Sequence, residues 1–160
     1  MIFLLNWTLK LNPTTPGINV VFARGKEYRE TYLLRVLNHP EVKAKFRSFM
    51  ELKRNDPYAS FSTHDKPYRP GGEFTSKVPG IRHAHIMHDL ILTYKMERRG
   101  NNVIIYLYGF HTHAKLGIDR SQNLNVQKGM ASKFQSEVFT ESADSDWTRL
   151  KKLVSRLLGR

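Results

Sequence analysis

Gly80-Ile81-Arg82-His83-Ala84-His85-Ile86-Met87-His88-Asp89-Leu90-Ile91-Leu92-Thr93-Tyr94-Lys95 is the stretch on which the fold turns. It is rich in β-branched and aromatic residues and has no glycine or proline after Gly80, which predicts a strand over 81–97 with Leu90-Ile91-Leu92 at its centre. Arg98-Arg99-Gly100-Asn101 then reads as a turn, and 102–110, carrying Val103-Ile104-Ile105-Tyr106-Leu107-Tyr108, as a second strand. Two apolar runs about a short Gly/Asn turn make a β-hairpin.

Before this hairpin, Ile18 to Ala23 is a further strand, punctuated by Gly25. In Lys26 to Asn38, Tyr28, Tyr32, Leu33, Val36 and Leu37 recur at helical spacing. Pro40 stops that helix and opens a second over 41–54, with Val42, Phe46, Phe49 and Met50 on its apolar face. Residues 55–80 hold four prolines and read as a long polar connection, of the kind that often carries function. Beyond the hairpin, 127–138 suits a helix, and Trp147, Leu150, Val154, Leu157 and Leu158 line one side of another. Met1 to Leu11 reads as an edge strand, too short for a membrane span and without the features of a signal peptide. The expectation is an α+β fold, a helical hairpin on a small antiparallel sheet, with an extension at each end.

The charge is lopsided. Among 160 residues, 26 Lys and Arg stand against 14 Asp and Glu, a formal +12. Such a surface draws polyanions from a distance and releases counterions on binding phosphates, which points to nucleic acid or the ribosome. The absence of cysteine excludes disulfides, a thiol nucleophile and Cys-ligated metal, and suits a cytoplasmic setting. Phosphate-binding glycine loops and a Gly-x-Ser-x-Gly elbow are missing as well.

Five of the seven histidines fall in two short stretches, His83, His85 and His88 in the first strand and His111 and His113 after the second. His64 lies in the connection before them. Alternate strand residues share a face, so His83 and His85 point the same way and the hairpin brings the second pair towards them. Imidazoles titrate near neutrality and can take a proton from an attacking 2′-hydroxyl or give one to a leaving oxygen. The same residues, with Asp89, also suit a metal-dependent hydrolase, although the spacing matches no defined zinc signature. A third reading is a non-catalytic ribosome- or nucleic-acid-binding module.

The quoted stretch resembles the central strand pair of the RelE/YafQ family of mRNA-cleaving toxins, roughly Gly-Tyr-Arg-Asp-Ala-His-Ile-x-x-Asp-x-Ile-Leu-x-Tyr-Lys. Thr112-His113-Ala114-Lys115-Leu116-Gly117 resembles that family's closing Thr-His-x-x-Leu-Phe. The match covers Gly80 to Gly117, and more loosely reaches back to Ile18. The resemblance implies residues 18–118 as a RelE-like catalytic domain, 1–17 as an N-terminal extension and 119–160 as a C-terminal helical extension. It implies cleavage of mRNA in the ribosomal A site without metal or other cofactor, a 2′,3′-cyclic phosphate product, and an acidic antitoxin as partner, with no membrane involved. By the same resemblance His85 contacts the scissile phosphate, His113 protonates the leaving group, His64 or Asp89 assists deprotonation, and Arg82 holds phosphate charge. His83, Lys66, Arg69, Lys77, Lys95, His111 and Lys115 are the expected RNA contacts. Two positions depart from the family: His83 stands where Asp is common, and Gly117 where Phe is common. An imidazole beside His85 lowers the pKa of both unless phosphate is bound.

Overall fold

The computed structural model describes residues 17–141. The strand expected over 1–11 and the helix carrying Trp147 to Leu158 lie outside the described residues. Within them the chain is α+β, with one mixed sheet and helices on both faces.

The quoted stretch is not one strand but two. β3 (Ile81–Met87) and β4 (Leu90–Arg99) run antiparallel, with Met87 opposite Leu90. His88 and Asp89 form the tight turn between them, and His88 takes φ 50 to close it. Neither residue is a usual turn glycine, so the apolar pattern reads as unbroken across the reversal. β5 (Asn102–Thr112) returns beside β4 through the expected turn at Gly100 and Asn101.

β1 (Asn19–Arg24) lies on the far side of β5 and runs parallel to it, with Asn19 opposite Asn102 and Arg24 opposite Leu107. This corrects the expectation of a purely antiparallel sheet. A parallel partner needs a long crossover, and the chain between β1 and β5 supplies one. Two-residue strands complete the edges, β2 (Lys66–Pro67) beside β3 and β6 (Thr140–Glu141) beside β1. The order is β2-β3-β4-β5-β1-β6.

Strand alternation sends side chains to two cores. Ala84, Ile86, Leu92, Tyr94, Ile105, Leu107 and Phe110 face α1 (Lys26–Arg35) and α2 (Pro40–Asn55). The two helices meet through Tyr28, Tyr32 and Phe46, and Phe46 stands edge-on to Phe110 at 5.0 Å between ring centres. Each such fully buried apolar side chain stabilises the fold by roughly 1.5–3 kcal/mol before entropy is counted. On the other face Ile81, Ile91 and Tyr108 pack against α3 (Glu73–Lys77) and α5 (Leu124–Gln135), where Phe74 meets Phe134. The connection 55–80 therefore contains β2 and α3, and the helix expected over 127–138 begins earlier, where the Asn123 side chain accepts the Val126 N–H.

β1 pairs with β5 only as far as Leu107, so β5 is an open edge beyond that point. α1 closes it. Gly109 sits at a β-bulge with φ 148, and a Cβ there would come within 2.9 Å of the Thr31 hydroxyl. With no side chain in the way, the Phe110 N–H donates to Thr31 Oγ1 at 3.0 Å. A buried edge donor is thereby satisfied.

Candidate active site

His85 is the centre of a row of imidazoles. Its ring lies 4.9 Å from that of His64 and 4.9 Å from that of His113, centre to centre. Three distant parts of the chain meet here: the connection before β2, the end of β3, and the residue after β5.

The register explains the placing of His113. Leu90 pairs with Thr112, so the residue after Thr112 comes level with Asp89 in the β3–β4 turn. Thr112 ends the strand and caps α4 (His113–Leu116), its hydroxyl accepting the Lys115 N–H at 3.2 Å. Asp89 Oδ1 accepts the His113 backbone N–H at 3.1 Å and also bonds His113 Nδ1. Those bonds hold the Asp89 carboxyl below its ordinary pKa. His113 is thus left with Nε2 as its unengaged ring nitrogen.

His85 is half-buried. Burial, and then the neighbouring His113, His64 and Lys66, push its pKa down. His83 lies on the same face, 6.0 Å from His85, but it is buried beneath Tyr68, whose ring is 4.5 Å away. Burial, then His85 and Lys66, lower the His83 pKa to about 4. Its Nδ1 has no hydrogen-bond partner within the protein. The expected surface contact of His83 with RNA is therefore corrected: it is a neutral wall behind His85. Tyr68 is held in turn by a 2.9 Å hydrogen bond to Thr93.

Two other expected site residues are elsewhere. Arg82 points to the opposite face of β3, where its Nε donates to the Tyr94 hydroxyl and its Nη2 to the Asp65 carbonyl. Alternation along the strand puts its guanidinium among the α2-side residues, away from phosphate at His85. His111 is buried, with Nε2 on Glu27 Oε1 at 2.8 Å, and Lys133 of α5 bonds the other oxygen of Glu27. Only Thr112 separates it from His113, but β5 ends there, and α1 and α5 cover His111. It is a core residue, not an RNA contact.

Of the expected cations, Lys66 is exposed opposite His83, and Lys115 is exposed two residues beyond His113. Arg69, Lys77 and Lys95 belong to the other end of the strand pair, around Ile81. That end is four residues from His85, about 13 Å along a strand. His88 is exposed in the turn.

Lys53, Asp65 and Tyr94 were not foreseen. Lys53 falls seven residues after Phe46 on the apolar stripe of α2, and a lysine on a buried stripe is the signal that marks it. Among the described residues no group of three His, Asp or Glu side chains is arranged to hold a metal ion. None of their helices is long and apolar enough to cross a membrane.

Gly117 closes α4 with φ 69, and a Cβ there would lie 2.6 Å from the Asn123 carbonyl. The Gly117 carbonyl accepts the Gln127 side-chain N–H at 2.7 Å. The departure from Phe thus has a local cause, because the start of α5 occupies that space.

No protein-family model matches the chain, and no curated protein does. Among solved structures it is similar to a YoeB/ParE toxin from Agrobacterium tumefaciens, at 11% identity and TM-score 0.46, over 60% of this chain and 99% of that one. It is also similar to the E. coli DinJ–YafQ toxin–antitoxin complex, at 22% identity and TM-score 0.43, over 62% of this chain and 97% of the matched chain.

Proposed function

We propose that the protein is a toxin-type endoribonuclease that cleaves mRNA in the ribosomal A site by attack of a 2′-hydroxyl on the adjacent phosphorus. The single observation that carries this reading is the His64–His85–His113 row with Asp89 bonded to its end. Two titratable bases flank a third at ring contact, and such a row serves a reaction that takes up a proton at one point and releases one at another.

In this reading His64, exposed at one end, accepts the 2′-hydroxyl proton as the oxygen bonds phosphorus. The bond from phosphorus to the 5′-oxygen breaks, and His113 gives that oxygen its proton from Nε2. The products are a 2′,3′-cyclic phosphate and a free 5′-hydroxyl. Asp89 holds His113 in orientation, rather than acting as base. His85, between the two, donates to a phosphate oxygen, and the charge of the bound phosphate offsets the effects that lower its pKa. Lys66 and Lys115 add positive charge at the row's flanks. The step needs no metal. The formal +12 supports polyanion binding and an acidic antitoxin as natural inhibitor.

The test is mRNA cleavage on programmed ribosomes with EDTA present, wild type beside His113→Ala. Cleavage by the wild type, reduced on the order of 10²–10⁴-fold in the variant, is the expected result. Ribosome binding by both without cleavage by either would replace this reading with that of a binding module.

A further inference from the structure

His64 and Asp65 are consecutive, yet they serve opposite faces of the sheet edge. His64 is exposed and meets the His85 ring, whereas the Asp65 side chain is wholly buried on the α2 side. The two residues end a turn in which the Asp65 N–H donates to the Ser62 carbonyl at 3.0 Å. What Asp65 meets is unusual for a loop residue. Its Oδ2 accepts the Phe61 N–H at 2.8 Å and the Lys53 ammonium at 3.0 Å. Its Oδ1 accepts the Tyr94 hydroxyl at 2.5 Å and lies 3.6 Å from Arg82 Nη2. Its own carbonyl accepts Arg82 at 3.1 Å. Lys53 reaches further back and donates to the Ala59 carbonyl at 2.6 Å.

The loop that carries His64 is therefore tied on both sides of that residue. Ala59 and Phe61 are bound before it, and after it Lys66 pairs with His83 in the sheet. Among the described residues His64 itself makes only a long hydrogen bond, its backbone N–H to the Ser62 hydroxyl at 3.3 Å. A buried carboxylate with two cations is costly to desolvate, and replacement by apolar residues is often neutral for stability. A device this expensive needs another reason, and the adjacent imidazole supplies one.

We propose that Asp65, with Lys53, Tyr94 and Arg82, is a positioning device that fixes the His64 imidazole against His85. This rests on the ribonuclease reading for its catalytic consequence, but not for its structural one. Positioning a base at a fixed distance from its substrate governs rate far more than affinity. Asp65 touches no reacting atom and acts only through His64.

The experiment uses the full chain and the variants Asp65→Asn, Tyr94→Phe, His64→Ala and Asp65→Asn/His64→Ala, with folding checked by circular dichroism. Tyr94→Phe removes the two hydrogen bonds of the hydroxyl, the one given to Asp65 and the one taken from Arg82, and serves if Asp65→Asn does not fold. Two readouts are taken: histidine side-chain NMR, and single-turnover cleavage on programmed ribosomes. The expected result is loss of the His64–His85 contact and of the influence of His64 on the His85 titration in Asp65→Asn, with a weaker effect in Tyr94→Phe. Cleavage by Asp65→Asn should fall to the level of His64→Ala, and the double variant should fall no further, whereas KM changes little. A wild-type His64–His85 contact and His85 titration in folded Asp65→Asn or Tyr94→Phe would overturn the proposal, and so would additive losses in the double variant. If the wild type does not cleave, the ribonuclease reading fails, and the NMR readout still decides the positioning.

Discussion

Asp89 accepts two hydrogen bonds from His113, one from the backbone N–H and one from Nδ1, so a single turn residue fixes both the position and the ring of the histidine after β5. Asp89→Asn keeps the shape but replaces the carboxylate that accepts both His113 hydrogen bonds with a neutral, weaker acceptor. Cleavage should fall by about 10- to 100-fold, by analogy with the loss of groups that orient a catalytic imidazole. Because the Asp89 side chain is more than half exposed, the thermal midpoint should not move. An unchanged cleavage rate would remove Asp89 from the mechanism.

His83 and His111 are both buried and both have lowered pKa values, His83 to about 4. An unfolded chain takes up these protons near the ordinary histidine pKa of about 6.5, and the folded chain does so only lower. Stability is therefore full above about pH 6.5 and falls as pH drops towards 4. For His83 alone the loss is on the order of 2–3 kcal/mol. Urea unfolding from pH 7 to pH 4 measures it, and His83→Gln should flatten the dependence.

Removing the His111 ring leaves the buried Glu27 with one partner fewer. His111→Ala should cost about 1–3 kcal/mol. RNA binding should weaken with salt as steeply as in the wild type, because no phosphate contact is lost. Lys66→Ala should do the reverse, holding stability while the slope of log affinity against log salt drops by about 1.

Gly117→Ala forces a Cβ into the Asn123 carbonyl and a left-handed backbone onto alanine. A loss of roughly 1–3 kcal/mol is expected. Hydrogen exchange should show faster opening of α5 than of β4, since only the helix N-terminus abuts Gly117. Equal acceleration in both would mean that the glycine supports the whole fold.

His85 should titrate below a free histidine in the isolated protein and shift upward when inorganic phosphate or a 2′-deoxy dinucleotide is added. A pKa that ignores both ligands would mean that phosphate does not bind between His64 and His113.

Residue periodicity and turn chemistry carried much of the fold. The α1 and α2 stripes, the Gly100–Asn101 turn and the strands beside it are local signals, readable because apolar spacing reports which side of a helix or strand is buried. His85, Asp89 and His113 were legible in the same way, as titratable groups spaced to meet across strands. What the chain does beyond its neighbours in sequence was not legible. The reversal at His88 uses a residue that does not advertise a turn, and the parallel pairing of β1 with β5 joins segments some 80 positions apart. Arg82 and His111 have the composition of site residues, but which face a strand side chain takes, and which helix then covers it, depend on the assembled layers. Asp65 reads as an ordinary loop carboxylate until Lys53, Tyr94 and Arg82 converge on it. The sequence alone determined the two main helices, the Gly100–Asn101 hairpin and the stock of chemical groups, because those follow from local spacing. Only the tertiary structure decided which of those groups share a space, because burial and charge pairing are set by contacts between residues far apart in the chain.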